Sequence, residues 1–335
     1  MSRARLDAVI VGAGLMGRWH AHAIRQCGGA VVGIVDTDTA RAKTLATACG
    51  GVAVFGELQR ALDAVSPAVV HVCIPLHTHV AMIRAALDRD CHVIAEKPLT
   101  RTAAEAEVLC AFAESRHRQL HVVHQFPYQQ GVVELLARRE ELGALVHLEV
   151  NMASAGAAHA VGTADTVVAD ILPHCLSLTR QFIAAPIQLL PWQVARVRDG
   201  EWRVTAQHDV VSVAFLLSMS ARPPFAEMRL LGDRASAFVD LFHGYSVIDH
   251  GSVSRAAKTA RPFRVAGRSM MAAATNLARR SLRAEPAYPG LNAFVREAYR
   301  AIGAETASPA RSEEIIDVAR ARDRLIALSG WSATS

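Results

Sequence analysis

Lysine is almost missing from this chain. Arginine supplies all but three of its 36 basic residues, the exceptions being Lys43, Lys97 and Lys258. A general preference for basic residues would have supplied arginine, so each lysine is a position to examine. Aromatic residues are sparse at 5%, the charges are interspersed, and no nucleic-acid motif is present. The net charge of +5 therefore does not point to nucleic-acid binding. The cysteines (Cys27, Cys49, Cys73, Cys91, Cys110 and Cys175) contain no C-x-x-C pair and no metal-like spacing. This excludes a metal centre or disulfide framework and leaves reduced, mostly buried thiols in a cytoplasmic protein as the expectation. No uncharged apolar stretch reaches the length of a membrane span; the longest candidate, Val210 to Ala221, fits a buried strand. Arg3 and Arg5 precede an apolar run as in a leader peptide, but Asp7 interrupts it and the run is accounted for by a first strand.

The chain has 335 residues, half of them hydrophobic, which exceeds the usual size of a single core and predicts two domains. The first is organised around Ala8-Val9-Ile10-Val11-Gly12-Ala13-Gly14-Leu15-Met16-Gly17, an apolar run ending in Gly-x-Gly-x-x-Gly and leading into a helix-compatible segment. This is the strand, turn and helix start of a dinucleotide-binding unit. Gly12 permits the tight turn, Gly14 lets the backbone approach a pyrophosphate, and Gly17 lets the helix lie close on the strand. Leu15 and Met16 open the helix whose positive end faces that pyrophosphate. Val31 to Asp36 reads as the second strand, with a carboxylate at its tip that accepts ribose hydroxyls and repels a 2′-phosphate. NAD is the expected cofactor; Arg41 keeps NADP open, because an arginine near the ribose can accommodate a phosphate.

Further along, helices are expected at Thr39–Cys49, Glu57–Val65 and Val80–Asp88. Strands are expected at Val52–Phe55, Ala68–Ile74 and Cys91–Ala95. This alternation implies a doubly wound parallel sheet whose ligands bind outside the carboxyl ends of the strands, where Pro75, His79, Glu96 and Lys97 fall. His79 at a helix start suits either a cofactor contact or a structural cap. Gln125, Phe126 and Tyr128 are pocket walls by position only.

Gly12-x-Gly14-x-x-Gly17, Pro75-x-x-x-His79 and above all Glu96-Lys97-Pro98 closing the fifth strand resemble the Gfo/Idh/MocA oxidoreductases. Thr102–Arg116 is similar to the family's next helix, His121–Phe126 to its sixth strand, Leu142 to Val146 to its crossing into a second domain, and Asp170-x-x-x-His174 to its Asp-x-x-x-His pair. The resemblance implies a Rossmann domain, residues 1–125, followed by an α+β substrate-binding and oligomerisation domain, residues 126–335. That second domain would hold a large, mostly antiparallel open sheet, with C-terminal helices returning to the Rossmann domain. It further implies a catalytic lysine at Lys97, a general acid/base at His174, supported by Asp170, and a homodimer or homotetramer. The glycine-rich run that many sugar-processing members carry before the Asp-x-x-x-His pair is largely lacking from Gly162 to Val168.

The residues can be weighed without the resemblance. A lysine ammonium at a strand end beside a nicotinamide can polarise a carbonyl or stabilise an alkoxide. Asp170 and His174 are four apart and share one helix face, and imidazole titrates near neutrality. Their plain alternative is a capping aspartate and an ordinary histidine. Apolar periodicity gives a helix over Asp165–Ile183, whereas Pro173, tolerated in a first turn, argues for an N-cap near Asp170. Six strands follow between Gln193 and Asp249, with Gly232-Asp233-Arg234 as a turn. From Arg268 to Arg283, Met270, Met271, Ala274, Leu277, Ala278 and Leu282 alternate with arginines, predicting a helix that packs its apolar face on its own protein or on a second copy, with a membrane surface or a hydrophobic substrate as the alternative.

The function expected is hydride transfer between NAD(P) and a hydroxyl/carbonyl pair of a sugar-, polyol- or cyclitol-like small molecule. Two alternatives stay open at this point: a redox-neutral hydrolase or lyase that oxidises its substrate transiently, and a non-catalytic nucleotide-sensing regulator.

Overall fold

The computed structural model describes residues 5–154, 163–251, 254–304 and 311–332. Two positions weighed above, Arg3 and Gly162, lie outside them. The chain divides into two compact units, Met1–His124 with Leu291–Arg320, and Gln125–Gly290 with Ala321–Ser335.

The first unit alternates β1 (Asp7–Val11), α1 (Leu15–Gln26), β2 (Ala30–Val35), α2 (Thr39–Ala48), β3 (Ala53–Phe55), α3 (Leu58–Val65), β4 (Val69–Val72), α4 (His79–Asp88), β5 (His92–Ala95), α5 (Ala103–Ser115) and β6 (Leu120–Val122). The strands pair in parallel in the order β3-β2-β1-β4-β5-β6. Both faces of such a sheet are covered by helices, which is why β1 and β4 are nearly continuous apolar runs. Val9, Val70 and Val93 from the sheet pack with Ile83 and Leu87 of α4 and Leu109 of α5 in one buried cluster. Connections diverge after β1 and β4, the point where doubly wound sheets open a crevice. The sixth strand stops at Val122 rather than at Phe126, because the next segment turns into a short 3₁₀ helix containing Pro127, which has no N–H to offer a ladder.

The second unit contains α6 (Gln130–Ala137), β7 (Leu145–Ala153), α7 (Ala164–Phe182), β8 (Gln193–Arg198), β9 (Glu201–His208), β10 (Val211–Ser218), β11 (Phe225–Gly232), β12 (Ala235–Asp240), β13 (Tyr245–His250) and α8 (Arg255–Leu282). Its seven strands run in the order β13-β12-β11-β7-β10-β9-β8. Only the central β7–β10 pair is parallel. Alternation along β12 buries Ala235, Ala237 and Val239 and turns Ser236, Phe238 and Asp240 to the other face, the signature of a sheet with one covered side. The chain then returns to the first unit through α9 (Leu291–Gly303). The helix α10 (Ser312–Leu328) begins in the first unit and ends in the second.

Two expectations are corrected here. Pro173 does not mark a helix start: α7 begins at Ala164 with Thr163 as its N-cap, and Pro173 lies in its interior. A proline there cannot donate to the carbonyl of Ala169, and Arg322 supplies the missing donor, its Nε lying 3.2 Å from that oxygen. The second concerns the own-protein half of the expectation for α8: Met270, Met271, Leu277 and Leu282 are all exposed, so the apolar face is not packed on its own chain. The polar side faces the protein instead. Asn276 is buried with its Nδ2 donating to the His243 carbonyl at 2.9 Å, Arg268 donates to the Ile248 carbonyl, and Arg280 to those of His243 and Pro286. Satisfied arginines, rather than apolar burial, attach this helix.

No helix among the described residues is long and apolar enough to cross a membrane. All six cysteines are free.

Candidate active site

The glycine loop forms between β1 and α1. Gly12 has φ of +98°, and a Cβ built there would lie 2.3 Å from the Cys73 carbonyl oxygen. At Gly17 a Cβ would lie 1.9 Å from the carbonyl oxygen of Gly12, so the helix could not approach the turn with any larger residue. Gly14 differs: a Cβ there meets nothing within 4 Å, so the loop faces open space at the position where a pyrophosphate would approach. Gly14 is also the N-cap of α1 and makes no side-chain cap bond, which leaves the first-turn N–H groups of Leu15, Met16 and Gly17 directed at that space.

Asp36, one residue beyond β2, ties the loop to the neighbouring strand. Its Oδ2 accepts from the Ala13 N–H at 2.7 Å and its Oδ1 from the Asp38 N–H at 2.8 Å. Each carboxylate oxygen retains acceptor capacity for a ribose hydroxyl. Arg41 lies 3.6 Å from Asp36 and 3.4 Å from Asp38, drawn to two carboxylates rather than displayed alone for a phosphate. The loop, the helix start and the carboxylate together fit an adenine dinucleotide with an unphosphorylated ribose.

At the end of β4, exposed Pro75 opens a 3₁₀ turn, Leu76–Thr78, that feeds α4. His79 is buried, with Nδ1 3.0 Å from the Leu99 carbonyl and Nε2 2.9 Å from the Ile74 carbonyl. Both ring nitrogens lie against backbone carbonyls, the contacts expected of the structural alternative, in which His79 staples two strand-end loops. Glu96 is likewise turned inward. Its Oε1 lies 3.0 Å from His20 Nε2 and its Oε2 accepts from the Lys97 N–H at 3.3 Å.

Lys97 follows β5 and is joined to Pro98 by a cis peptide. Its charge is felt by His124, just past β6. Burial first, and then the Lys97 ammonium, hold that imidazole down to about 4, against the opposing carboxylate of Glu96. His124 was given no role in the sequence, yet it reports a cation at the ligand end of the sheet. Burial, with a contribution from Glu96, also pushes the Cys73 thiol well above its ordinary range.

In the second unit, Asp170 and His174 lie one turn apart on α7. The His174 ring stacks on Phe126, centroids 4.3 Å apart and planes within 13°. Phe126, one of the positional pocket walls, thereby fixes the plane of the imidazole. Asp170 contributes negative charge near Arg322, whose guanidinium is otherwise lowered by burial. The start of α7 is anchored by Asp165, a buried acid absent from the expected site. It accepts from the Gly200 N–H at 2.8 Å, Trp202 Nε1 at 2.6 Å and Arg196 Nε at 2.6 Å. Burial alone would raise its carboxyl, but these three donors outweigh that and leave it below the usual range.

Residues 6–124 match the family model described as an oxidoreductase family with an NAD-binding Rossmann fold. The chain is 27% identical over 252 residues to the UDP-N-acetylglucosamine 3-dehydrogenase of Acidithiobacillus ferrooxidans, covering 72% of this chain and 76% of that one. It is 29% identical over 148 residues to the inositol 2-dehydrogenase of an Arthrobacter species, covering 43% and 44% of the two chains. Among solved structures, a levoglucosan dehydrogenase in complex with NADH and levoglucosan superposes with a TM-score of 0.77 at 14% identity, over 97% of each chain, a likeness of fold. The glycine loop, the acid that clamps it and the Glu96-Lys97-Pro98 strand end thus lie within the part of the chain that matches the NAD-binding Rossmann fold of the Gfo/Idh/MocA oxidoreductases.

Proposed function

We propose that the protein interconverts a secondary hydroxyl and its ketone on a sugar-, polyol- or cyclitol-like molecule, with Lys97, Asp170 and His174 handling charge and protons. The observation that carries this is the placement of Lys97 at the carboxyl end of the parallel sheet, directly after β5, near enough to His124 for its charge to add to the burial that lowers that imidazole. The substrate class is supported by relatives named for oxidation at position 3 of UDP-N-acetylglucosamine and at position 2 of inositol.

Gly12, Gly14, Leu15, Met16 and Gly17 would hold the pyrophosphate and Asp36 the ribose. Bound NAD supplies the hydride acceptor. As the carbinol C–H bond breaks, Lys97 stabilises the negative charge growing on the substrate oxygen. His174 takes the hydroxyl proton, its ring plane held by Phe126, and Asp170 one turn earlier on α7 supports the imidazolium that results. A homodimer or homotetramer belongs to the same reading, supported by the exposed apolar residues of α8.

The test is to denature the purified protein, identify any released nucleotide, and follow reduced-nicotinamide absorbance with UDP-N-acetylglucosamine, myo-inositol, levoglucosan and their oxidised forms. Substrate-dependent net NADH formation supports the proposal. Product formed over tightly held NAD with no net reduction replaces it with the redox-neutral enzyme, and nucleotide binding without turnover of any ring polyol removes it.

A further inference from the structure

A chain of buried titratable side chains runs through the first unit without a role in the chemistry above. It starts at Glu96, beside Lys97. Glu96 Oε1 lies 3.0 Å from His20 Nε2, His20 Nδ1 lies 2.7 Å from His71 Nδ1, and His71 Nε2 lies 2.9 Å from the Tyr299 hydroxyl. His20 and His71 are fully buried, one on α1 and the other in the middle of β4. Tyr299, on α9, lines a cleft of about 380 Å³ together with Cys27, Arg296 and Arg300. Four side chains, from α1, β4, α9 and the residue just past β5, meet atom to atom at sequence separations of 51, 76 and 228 residues.

The proton positions follow from the partners. A carboxylate only accepts, so His20 carries its proton on Nε2 and its Nδ1 is a bare acceptor. The 2.7 Å contact between the two Nδ1 atoms then requires the proton on His71 Nδ1. His71 Nε2 is left to accept from the Tyr299 O–H. Every donor in the chain points toward Glu96.

We propose that Glu96, His20, His71 and Tyr299 form a proton relay that equilibrates the carboxylate beside Lys97 with the cleft lined by Tyr299. The transfer balances in three shifts with no ring turning. A solvent proton binds the Tyr299 oxygen as its own O–H proton passes to His71 Nε2; the Nδ1 proton of His71 passes to Nδ1 of His20; the Nε2 proton of His20 passes to Glu96 Oε1. One proton is consumed, the carboxylate becomes a carboxylic acid, and both imidazoles end neutral in the opposite tautomer. The reverse sequence discharges a proton from Glu96 into the cleft. Hydroxyl oxidation by NAD releases one proton and ketone reduction consumes one, so the relay gives Glu96, the neighbour of the proposed catalytic lysine, its own exchange route.

The surroundings favour hopping over charging. Burial, and then the proximity of His20 and His121, lower His71 well below the ordinary imidazole range. Burial also raises the Tyr299 hydroxyl far above its usual range, with Cys27 adding to it. The groups facing the chain are Lys97, Cys73 and His124 near Glu96, His121 near His71, and Cys27 with Arg296 at the cleft.

The assignment is read in the full-length protein by ¹⁵N NMR of labelled histidine, together with the carboxylic-acid infrared band of Glu96 identified with Glu96→Gln. No substrate is needed, so the result stands or falls apart from the proposed sugar oxidation. The expected result is His20 as the Nε2–H and His71 as the Nδ1–H tautomer at neutral pH. As pH falls the two should exchange tautomers together, in step with the appearance of protonated Glu96. In Tyr299→Phe, which keeps the ring and removes the hydroxyl, the rate of that exchange should drop at least tenfold. Tautomers that stay fixed while Glu96 protonates, or an imidazolium at either ring, overturn the relay in the wild-type protein whether or not the variant folds.

Discussion

The guanidinium of Arg322 donates from Nε to the carbonyl of Ala169 at 3.2 Å, and Ala169 is the residue whose helical partner is Pro173. The side chain of α10 thus repairs a gap that proline leaves in the middle of α7, one residue before His174. Asp170 and His174, the residues proposed for the chemistry, flank the proline on either side.

Replacing Arg322 with Met keeps the bulk and removes the donor. Loss of a buried charge-assisted hydrogen bond costs about 2–3 kcal/mol. In a Pro173→Ala background the helix supplies its own N–H to Ala169, so the same replacement should cost clearly less. Urea unfolding of the four proteins of this double-mutant cycle gives the comparison. Equal costs in both backgrounds would mean that Arg322 stabilises the protein by some other contact.

Asp36 serves two purposes, since the carboxylate proposed for the ribose also holds the Ala13 N–H of the glycine loop at 2.7 Å. Asp36→Ala should therefore weaken NAD by more than the loss of ribose bonds alone, on the order of a hundredfold at 1.4 kcal/mol per factor of ten. It should also narrow the preference for NAD over NADP. Calorimetric titration with both nucleotides measures this, and unchanged NAD affinity would remove Asp36 from the cofactor site.

Lys97→Ala should abolish turnover while leaving NAD affinity nearly intact, because Lys97 is assigned to the reacting oxygen and not to the nucleotide. The same variant has a second readout in the free protein. His124 is held down by burial and by the Lys97 charge, so removing that charge should move its titration upward from about 4. An unmoved His124 resonance in the variant would separate the two residues, and undiminished turnover would remove the lysine from the chemistry.

The Rossmann unit was legible because its signals are local. Glycines needed for a turn, apolar strands covered on both faces and an acid at a strand tip all lie within Ala8 to Asp36. The second sheet was legible from its alternation between Gln193 and Asp249. What the sequence did not disclose depends on distant partners. His71 stands out as a histidine inside the apolar run Val69-Val70-His71-Val72, but nothing local names His20 or Tyr299 as its neighbours. Pro173 looked like a helix start because the donor that makes it tolerable sits at position 322. The apolar residues of α8 looked like a buried face because periodicity does not say which side of a helix its arginines will fasten.

Acid stability follows from the buried histidines. Burial comes first in holding His92 and His124 down to about 4 and His121 to about 3, with Arg118, Lys97 and His92 respectively adding to it. A histidine whose folded value lies below its unfolded value of about 6.5 takes up its proton more readily when unfolded. Its burial costs nothing while pH stays above the unfolded value, and stability is lost progressively as pH falls from there toward the folded one. Asp165 acts lower down. Its depressed carboxyl contributes stability that is full above the ordinary carboxylate value of about 3.9 and is lost as pH falls through its folded value. Melting temperature should therefore begin to fall just below neutrality, well before carboxylates titrate, and steepen below about pH 4. His121→Gln, which removes the most depressed of the three, should flatten the slope from about pH 6.5 down to about pH 3 and leave the part of the steeper limb that belongs to Asp165. Asp165→Asn should do the reverse, at the cost of lower stability at neutral pH. A wild-type melting temperature constant from pH 7 down to pH 4 would show that these imidazoles charge in the folded protein without penalty.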